Sequence, residues 1–433
     1  MTLPEQFISY TRPLMGEERF ARFMDALSQP APVSIRLNPF KTLADWSETD
    51  GLASVPWCRG GFYLSGRPAF TFDPLLHAGA YYVQEASSMF IDHIVRQFVH
   101  QPVTALDLCA APGGKTTCLR AALPEGSRLF SNEPNGKRAQ ILAENVVKFG
   151  HPDVVVTNNY AIDYQRARLQ FDLILTDMPC SGEGMFRKDP DSIGEWSVEN
   201  VAKCAALQRS ILTDIWPCLR PGGLLVYSTC TYNAHENEEN IAFAVEELGA
   251  EVLPIPVQTE WGIVGALTGS HPICRFIPGS TCGEGLAVAL LRKPMAAESD
   301  GKSHPSGKQN ALKGLRILTQ GINPPVVKGK KTIPDISQAL TIHAADNPYP
   351  RVEVDYATAI SYLRREAIAL PPSAPKGIVT VCYEGFALGF AKNLGTRANN
   401  LYPQEWRIRS THLPDEPPVV VPLRSRWGQD GEA

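Results

Sequence analysis

The chain has 433 residues, 44% of them apolar and 20% charged, a composition that supports two or three globular domains and excludes a disordered or collagen-like chain. No run approaches the roughly 18 consecutive apolar residues of a membrane helix, and residues 1–30 lack the apolar centre of a signal peptide, so a soluble, cytoplasmic protein without a membrane partner is expected. Net charge is −4 but unevenly spread: residues 1–301 carry 24 Lys and Arg against 34 Asp and Glu, net −10, whereas residues 302–433 carry 17 against 11, net +6.

The predicted elements run as follows. Residues 1–75 mix helical stretches such as Glu17 to Leu27 with the extended segment Ser34 to Leu37, a small N-terminal α+β domain. Residues 80–100 space Val83, Ser87, Phe90, Ile91, Ile94 and Phe98 at three and four, which predicts an amphipathic helix. Residues 76–295 then alternate short apolar runs (VTALDL, SRLFSNE, DVVVTN, FDLILTD, GLLVYSTC) with helical ones, predicting a mostly parallel sheet with ligands at the strands' carboxyl ends. Trp196 and Ser197 read as a staple and N-cap with Val201 inside, and Pro221-Gly222-Gly223 as the stop of that helix. Residues 296–313 are rich in Ser, Gly, Lys and Ala, a linker. Residues 314–433 form a basic C-terminal α+β domain, with a hairpin about Glu384-Gly385. There Lys392, Arg397, Arg407 and Arg409 interleave with Tyr383, Phe386, Phe390, Tyr402 and Trp406, a pattern that fits base stacking or, as alternating aromatics in strands more often do, a core.

Two segments carry chemistry. Leu106 to Thr116 (LDLCAAPGGKT) is a strand, a small-residue turn and a helix start, but a triphosphate loop needs glycine where Cys109 stands. Glu133 follows Gly113 by 20 residues at the next strand's end, where an acid accepts ribose hydroxyls, so a nucleoside cofactor without essential phosphates fits best. Cys180, in Asp177-Met178-Pro179-Cys180-Ser181-Gly182, and Cys230, in Ser228-Thr229-Cys230-Thr231, end neighbouring strands. Two thiols and the Asp177 carboxylate around one pocket suit addition chemistry on a pyrimidine. Cys109, Cys118, Cys204, Cys218, Cys274 and Cys382 read as small buried hydrophobes. Ten cysteines without a C-x-x-C pair predict free thiols and no metal.

DLCAAPGGKT, DMPCSGEG and VYSTCT, flanked by RLN at 36–38 and QEASSM at 84–89, resemble the Sun family of S-adenosylmethionine-dependent RNA cytosine-5 methyltransferases. GFAKNLGTRANNLYPQEWRIR, at 389–409, is similar to the C-terminal RNA-binding part of that family's bacterial ribosomal subgroup, RsmF. The resemblance implies a Rossmann-like class I methyltransferase with a seven-stranded sheet, S-adenosylmethionine as cofactor, and ribosomal RNA or a pre-assembled small ribosomal subunit as partner of a monomer. It makes Cys230 the thiol that adds to cytosine carbon 6, Cys180 the assistant in proton removal or release, and Asp177 the partner of the cytosine amino edge. It places the cofactor against Cys109, Ala110, Ala111, Pro112, Gly113, Gly114, Lys115, Glu133, Asp177 and the third strand's end. At that end the family often has Asp; here stands Thr157-Asn158-Asn159-Tyr160, and Asn158 is the expected adenine contact. A second departure is Pro278 to Gly285, where the subgroup commonly has His after Pro.

Arg187 and Lys188 fit either phosphate contacts near a flipped base or plain surface charge. The acids at 236, 238 and 239 read as a solvated helical turn. Other functions consistent with the residues are transfer-RNA methylation and an idle RNA-binding assembly factor.

Overall fold

The structure is a computed structural model describing residues 2–43, 51–295, 309–329, 331–410, 414, 416–418 and 420–427. Most of the expected linker lies outside the described residues.

Helices α1 (Glu5–Met15) and α2 (Glu17–Ser28) break at Gly16, whose φ of 77° glycine adopts at little cost. They bury Phe7, Phe20 and Phe23, with Phe7 edge-on to Phe186 at 5.1 Å and to Trp196 at 5.6 Å. The pair thereby braces the loop that carries Cys180. An antiparallel sheet follows, β1 (Val33–Leu37) lying between β2 (Gly61–Leu64) and β3 (Tyr81–Val83), with the short helix α3 (Pro74–His77) before β3. The helix expected over 80–100 is therefore shorter: residues 81–83 pair with Ile35 to Leu37, and α4 covers Phe90–Phe98. Because β3 lies beyond residue 75, the expected boundary at 75–76 cuts this sheet.

The central sheet is built from β4 (Thr104–Asp107), β5 (Arg128–Asn132), β6 (Val154–Thr157), β7 (Phe171–Asp177), β8 (Leu219–Thr229), β9 (Glu251–Leu253), β10 (Cys274–Phe276), β11 (Leu286–Arg292) and β12 (Ile317–Gln320). Its crossover helices are α5 (Gly114–Ala122), α6 (Gly136–Phe149), α7 (Ala161–Arg166), the short α8 (Asp191–Glu195), α9 (Val198–Ile215) and α10 (Glu238–Leu248). Strand order β10-β11-β8-β7-β4-β5-β6 gives the seven-stranded unit, β11 alone running antiparallel to its neighbours. Two further strands enlarge it to nine: β9 pairs with β11, and β12 adds to β6. The order reverses between β4 and β7, which opens a crevice at their carboxyl ends. Ser197 caps α9 by accepting from Asn200 N–H, worth about 1 kcal/mol, while Trp196 and Val201 share one apolar cluster. That helix ends at Ile215, with a 3-10 turn over Trp216–Cys218; Pro221-Gly222-Gly223 lies inside β8, where the pairing with β7 slips, and stops no helix.

Beyond β12 come the hairpin β13 (Val326–Lys328) and β14 (Lys331–Ile333), then α11 (Ile336–Leu340). A four-stranded sheet completes the chain, in the order β15 (Arg351–Glu353), β16 (Gly377–Tyr383), β17 (Phe386–Asn393) and β18 (Ala398–Asn400), backed by α12 (Tyr356–Leu363). The expected hairpin joins β16 to β17, with Glu384 at φ 49° and Gly385 at φ 75°, the left-handed pair that a two-residue turn requires. This C-terminal sheet shares one apolar core with the N-terminal sheet, uniting Ile35, Leu37 and Tyr81 with Val379, Leu388 and Tyr402.

Candidate active site

Asp107 ends β4, and the turn Leu108 to Gly113 follows it into α5. The Ala111-Pro112 peptide is cis, and Gly113 sits at φ 115°, a conformation that favours glycine, where a Cβ would lie 3.3 Å from Leu142 Cδ1 and 3.4 Å from Asn145 Cβ. Two side chains of α6 hold the turn from behind: Arg138 donates to Ala111 O at 2.9 Å and Asn145 to Pro112 O at 2.8 Å. Ala110, Ala111 and Gly113 are buried, Cys109, Gly114 and Lys115 half-buried, and Pro112 exposed. Arg36 and Gln84, from RLN and QEASSM, reach α5 from the N-terminal sheet: Arg36 donates to Gln84 Oε1 at 2.8 Å and to Thr117 Oγ1 at 2.5 Å. Those two motifs thus serve the glycine turn.

The ends of β5 and β6 are tied by Asn132, whose amide donates to Leu108 O and Asn159 O and whose Oδ1 accepts from Thr157 and Asn159. Glu133 follows, its carboxyl buried, accepting from Asn135 N–H at 2.9 Å with Arg138 at 3.7 Å. Asn158 stands beside it and spends both amide hydrogens on Glu133 O and Pro134 O, at 2.7 and 2.9 Å. Its Oδ1 meets no donor among the described residues, so Asn158 presents an acceptor, as Asp would. Asp163 caps α7 by accepting from Tyr160 N–H.

Cys180 and Cys230 come together because β7 and β8 are parallel neighbours with Asp177 opposite Ser228. Their Sγ atoms lie 3.1 Å apart, both half-buried. The hydrogen bond to Cys230, reinforced by burial, pushes the Cys180 thiol well above the usual range, so Cys180 keeps its proton, and either sulfur can donate across the contact. Asp177 accepts from Lys115 Nζ at 2.9 Å and from Ser228 Oγ at 3.0 Å. Burial lowers the Lys115 pKa, but the Asp177 carboxylate outweighs it and raises the net value, so the ammonium stays charged. Among the described residues no group of His, Cys, Asp and Glu is arranged to hold a metal.

Sequence reasoning missed the polar framework beneath the thiols. Glu236 is fully buried, accepting from Ser181 N–H, Gln208 and Asn233, while Glu238 pairs with buried Arg275. Only Glu239 of that trio is exposed, so the solvated turn expected there is corrected. Glu183 is buried too and accepts from Tyr232 and Asn233 N–H, Trp196 and the Asn233 amide. These carboxylates bind the Cys180 loop to the Cys230 loop. Apart from Asn233, three residues before Glu236, their donors lie far off in sequence, and an acid-rich run gives no sign of them.

Arg187 is corrected as well. It is half-buried as a residue, with a side chain 8% exposed that bonds Glu284, Ala26 O and Gly283 O, so it staples the Cys180 loop to its neighbours rather than standing as plain surface charge. Lys188 is exposed, 3.9 Å from Glu284. Lys392, Arg397, Arg407 and Arg409 are all exposed, whereas Phe386, Phe390 and Tyr402 are buried in the core and cannot stack bases.

Sheet order, glycine turn and paired strand-end thiols define a Rossmann-like methyltransferase. Residues 99–292 match the model of 16S rRNA methyltransferase RsmB/F, residues 3–86 the N-terminal domain of 16S rRNA methyltransferase RsmF, and residues 349–408 the methyltransferase RsmF PUA domain. Ribosomal RNA small subunit methyltransferase F of Klebsiella pneumoniae (strain 342) is 30% identical over 93% of this chain and 96% of its own length. That of Enterobacter sp. (strain 638) is 28% identical over 93% and 95%. A methyltransferase homolog protein from Pyrococcus horikoshii is 27% identical, with TM-score 0.56, covering 67% of this chain and 95% of that one. NSun6 of Pyrococcus horikoshii, solved with SFG, has 20% identity and TM-score 0.56 over 67% and 98%, a likeness of fold. The chain belongs to the RsmF family of small-subunit ribosomal RNA methyltransferases.

Proposed function

We propose that the chain methylates carbon 5 of cytosine in small-subunit ribosomal RNA, with S-adenosylmethionine as methyl donor and Cys230 as nucleophile. The observation that carries this reading is the pair of thiols 3.1 Å apart beside the Asp177–Lys115 ion pair. Carbon 5 of cytosine is too weak a nucleophile to react directly, and addition of a thiolate to carbon 6 makes it an enamine. Cys230 forms that S–C6 bond, while Asp177, held by Lys115 and Ser228, faces the cytosine amino edge and ring nitrogen, where charge changes during attack. After methylation carbon 5 gives its proton to water, its C–H electron pair restores the C5–C6 double bond, and the S–C6 pair leaves with Cys230 as a thiolate. Cys180, protonated, then donates to the departing Cys230 thiolate, which favours release as its role.

The residues at the crevice fit the cofactor. Glu133 would accept from the ribose hydroxyls, Asn158 Oδ1 from the adenine amino group, and the turn 109–115 would bound the methionine end. When bound, the cofactor supplies an electrophilic methyl group on sulfur.

The test is a pair of variants assayed with S-adenosylmethionine and small-subunit RNA, products mapped by bisulfite sequencing. Cys230→Ala should lose methylation and keep RNA binding; Cys180→Ala should accumulate a protein–RNA adduct stable to denaturing gels. A Cys230→Ala enzyme of near-normal turnover would overturn the assignment.

A further inference from the structure

Outside the crevice, a cavity of about 240 Å³ lies where the N-terminal sheet meets α5 and α6, lined by Arg36, Leu76, Tyr82, Val83, Asn145 and Phe149 among others. It is smaller than the about 300–1,000 Å³ of sites for drug-sized ligands, which suits a single planar ring. Arg36 is only 2% exposed, yet no carboxylate among the described residues lies within ion-pair distance of it. Its Nε and Nη2 are taken by Gln84, Thr117 and Gly114 O, whereas Nη1 meets no acceptor among them. Nη1 is not among the buried polar atoms left without a partner, so it is open to the cavity and free to donate to an acceptor that enters. Lys148, the other cation at the cavity, is already paired with Glu144 at 2.6 Å. Asn145 has its amide nitrogen on Pro112 O, with Oδ1 unclaimed among the described residues. The walls thus combine a phenol ring, aliphatic carbon, one donor and one acceptor that no described residue claims.

We propose that this cavity is a second nucleotide subsite, which takes an unpaired base of the substrate RNA with its ring against Tyr82 and an acceptor edge towards Arg36. Unpaired bases are recognised by aromatic stacking together with hydrogen bonds to their edges. The location supports the same RNA reaching both sites. Gly114, whose carbonyl accepts from Arg36 and whose Cα faces the Tyr82 ring, directly precedes Lys115, which reaches Asp177. The proposal rests on RNA being the substrate but not on which atom is methylated.

The test uses the full chain and a small-subunit RNA fragment containing the methylated position. Ultraviolet cross-linking followed by digestion and mass spectrometry should find a nucleotide on the peptide that contains Tyr82. Tyr82→Leu, which removes the stacking face but keeps bulk beside Gly114, and Leu76→Trp, which fills the cavity, should each weaken RNA binding about tenfold, the scale of one base stack. Affinity for S-adenosylmethionine should stay as in the parent, which separates this subsite from damage to the glycine turn. No nucleotide on that peptide, or RNA affinity unchanged in both folded variants, would overturn the subsite. Neither result would bear on Cys230, because both readouts are taken without turnover.

Discussion

Asp107 sits at the end of β4 with none of its surface exposed, Oδ2 accepting from Thr116 at 2.7 Å and Oδ1 without a partner among the described residues. Burial raises its pKa from 3.8 to about 7, the Thr116 hydrogen bond opposing and the Asp177 charge adding. An acid with a raised folded pKa contributes its full stability below the unfolded value and loses it as pH rises through the folded value. Asp107→Asn, which cannot ionise, should therefore shrink the gap between the melting midpoints at about pH 5 and about pH 8, chiefly by raising the latter. A gap equal to the parent's would show that Asp107 does not titrate in this window. At this scale the placement of Cys180, Cys230 and Glu133 beyond strand ends was legible, because each follows an apolar run that reads as a strand. Glu183, Glu236 and Arg187 were not. Nothing local tells a solvated acid from one such as Glu236, whose donors Ser181 and Gln208 arrive only on folding.

Between elements, the decisive feature is the approach of the loop after β7 to the loop after β8. Gly184 N–H donates to Cys230 O at 2.6 Å, and a Cβ at Gly184 would lie 2.5 Å from that oxygen and 3.0 Å from Gly285 O. These neighbours are backbone atoms and cannot swing aside, so Gly184→Ala must part the two loops and with them the thiols. Misplacement of reacting groups by about 1 Å can cost about 100-fold in rate. Single-turnover methylation by Gly184→Ala should fall by at least about tenfold with cofactor affinity intact; an unchanged rate would mean the thiol spacing is not limiting. Alternating apolar runs made the parallel strands readable in order. The short β3 and β12 were unreadable, since each is defined by its partner: β3 by β1 and β12 by β6, the latter fixed where Asn159 bonds both backbone groups of Arg316. Pro221-Gly222-Gly223 misled for a similar reason, a breaker signal being equally compatible with a slipped strand pairing.

Charge asymmetry suggested a basic module carried on a tether, but the whole molecule is assembled differently. The C-terminal sheet buries its apolar face on the N-terminal one, Tyr356 donates to Phe72 O at 3.0 Å, and Arg426 bonds the backbone of Lys41 and Thr42. Cutting the chain near residue 300 would strip β12 from the catalytic sheet and expose that shared core, so weaker RNA binding after truncation would mix unfolding with the removal of charge. Charge replacement isolates the electrostatic part. Lys392, Arg397, Arg407 and Arg409 are exposed, and no ion pair among the described residues engages them, so changing all four to Gln should leave folding stability within about 0.5 kcal/mol of the parent's. Each phosphate left unneutralised by the change should flatten the plot of log affinity against log salt by about 0.7. If the four cations neutralise about two to four phosphates, the slope should drop by about 1.4 to 2.8 and the affinity fall most at low salt. Measured by fluorescence anisotropy on ribosomal RNA fragments, an unchanged slope would mean that the basic face contributes to solubility alone and that the RNA is held by the crevice and the N-terminal sheet.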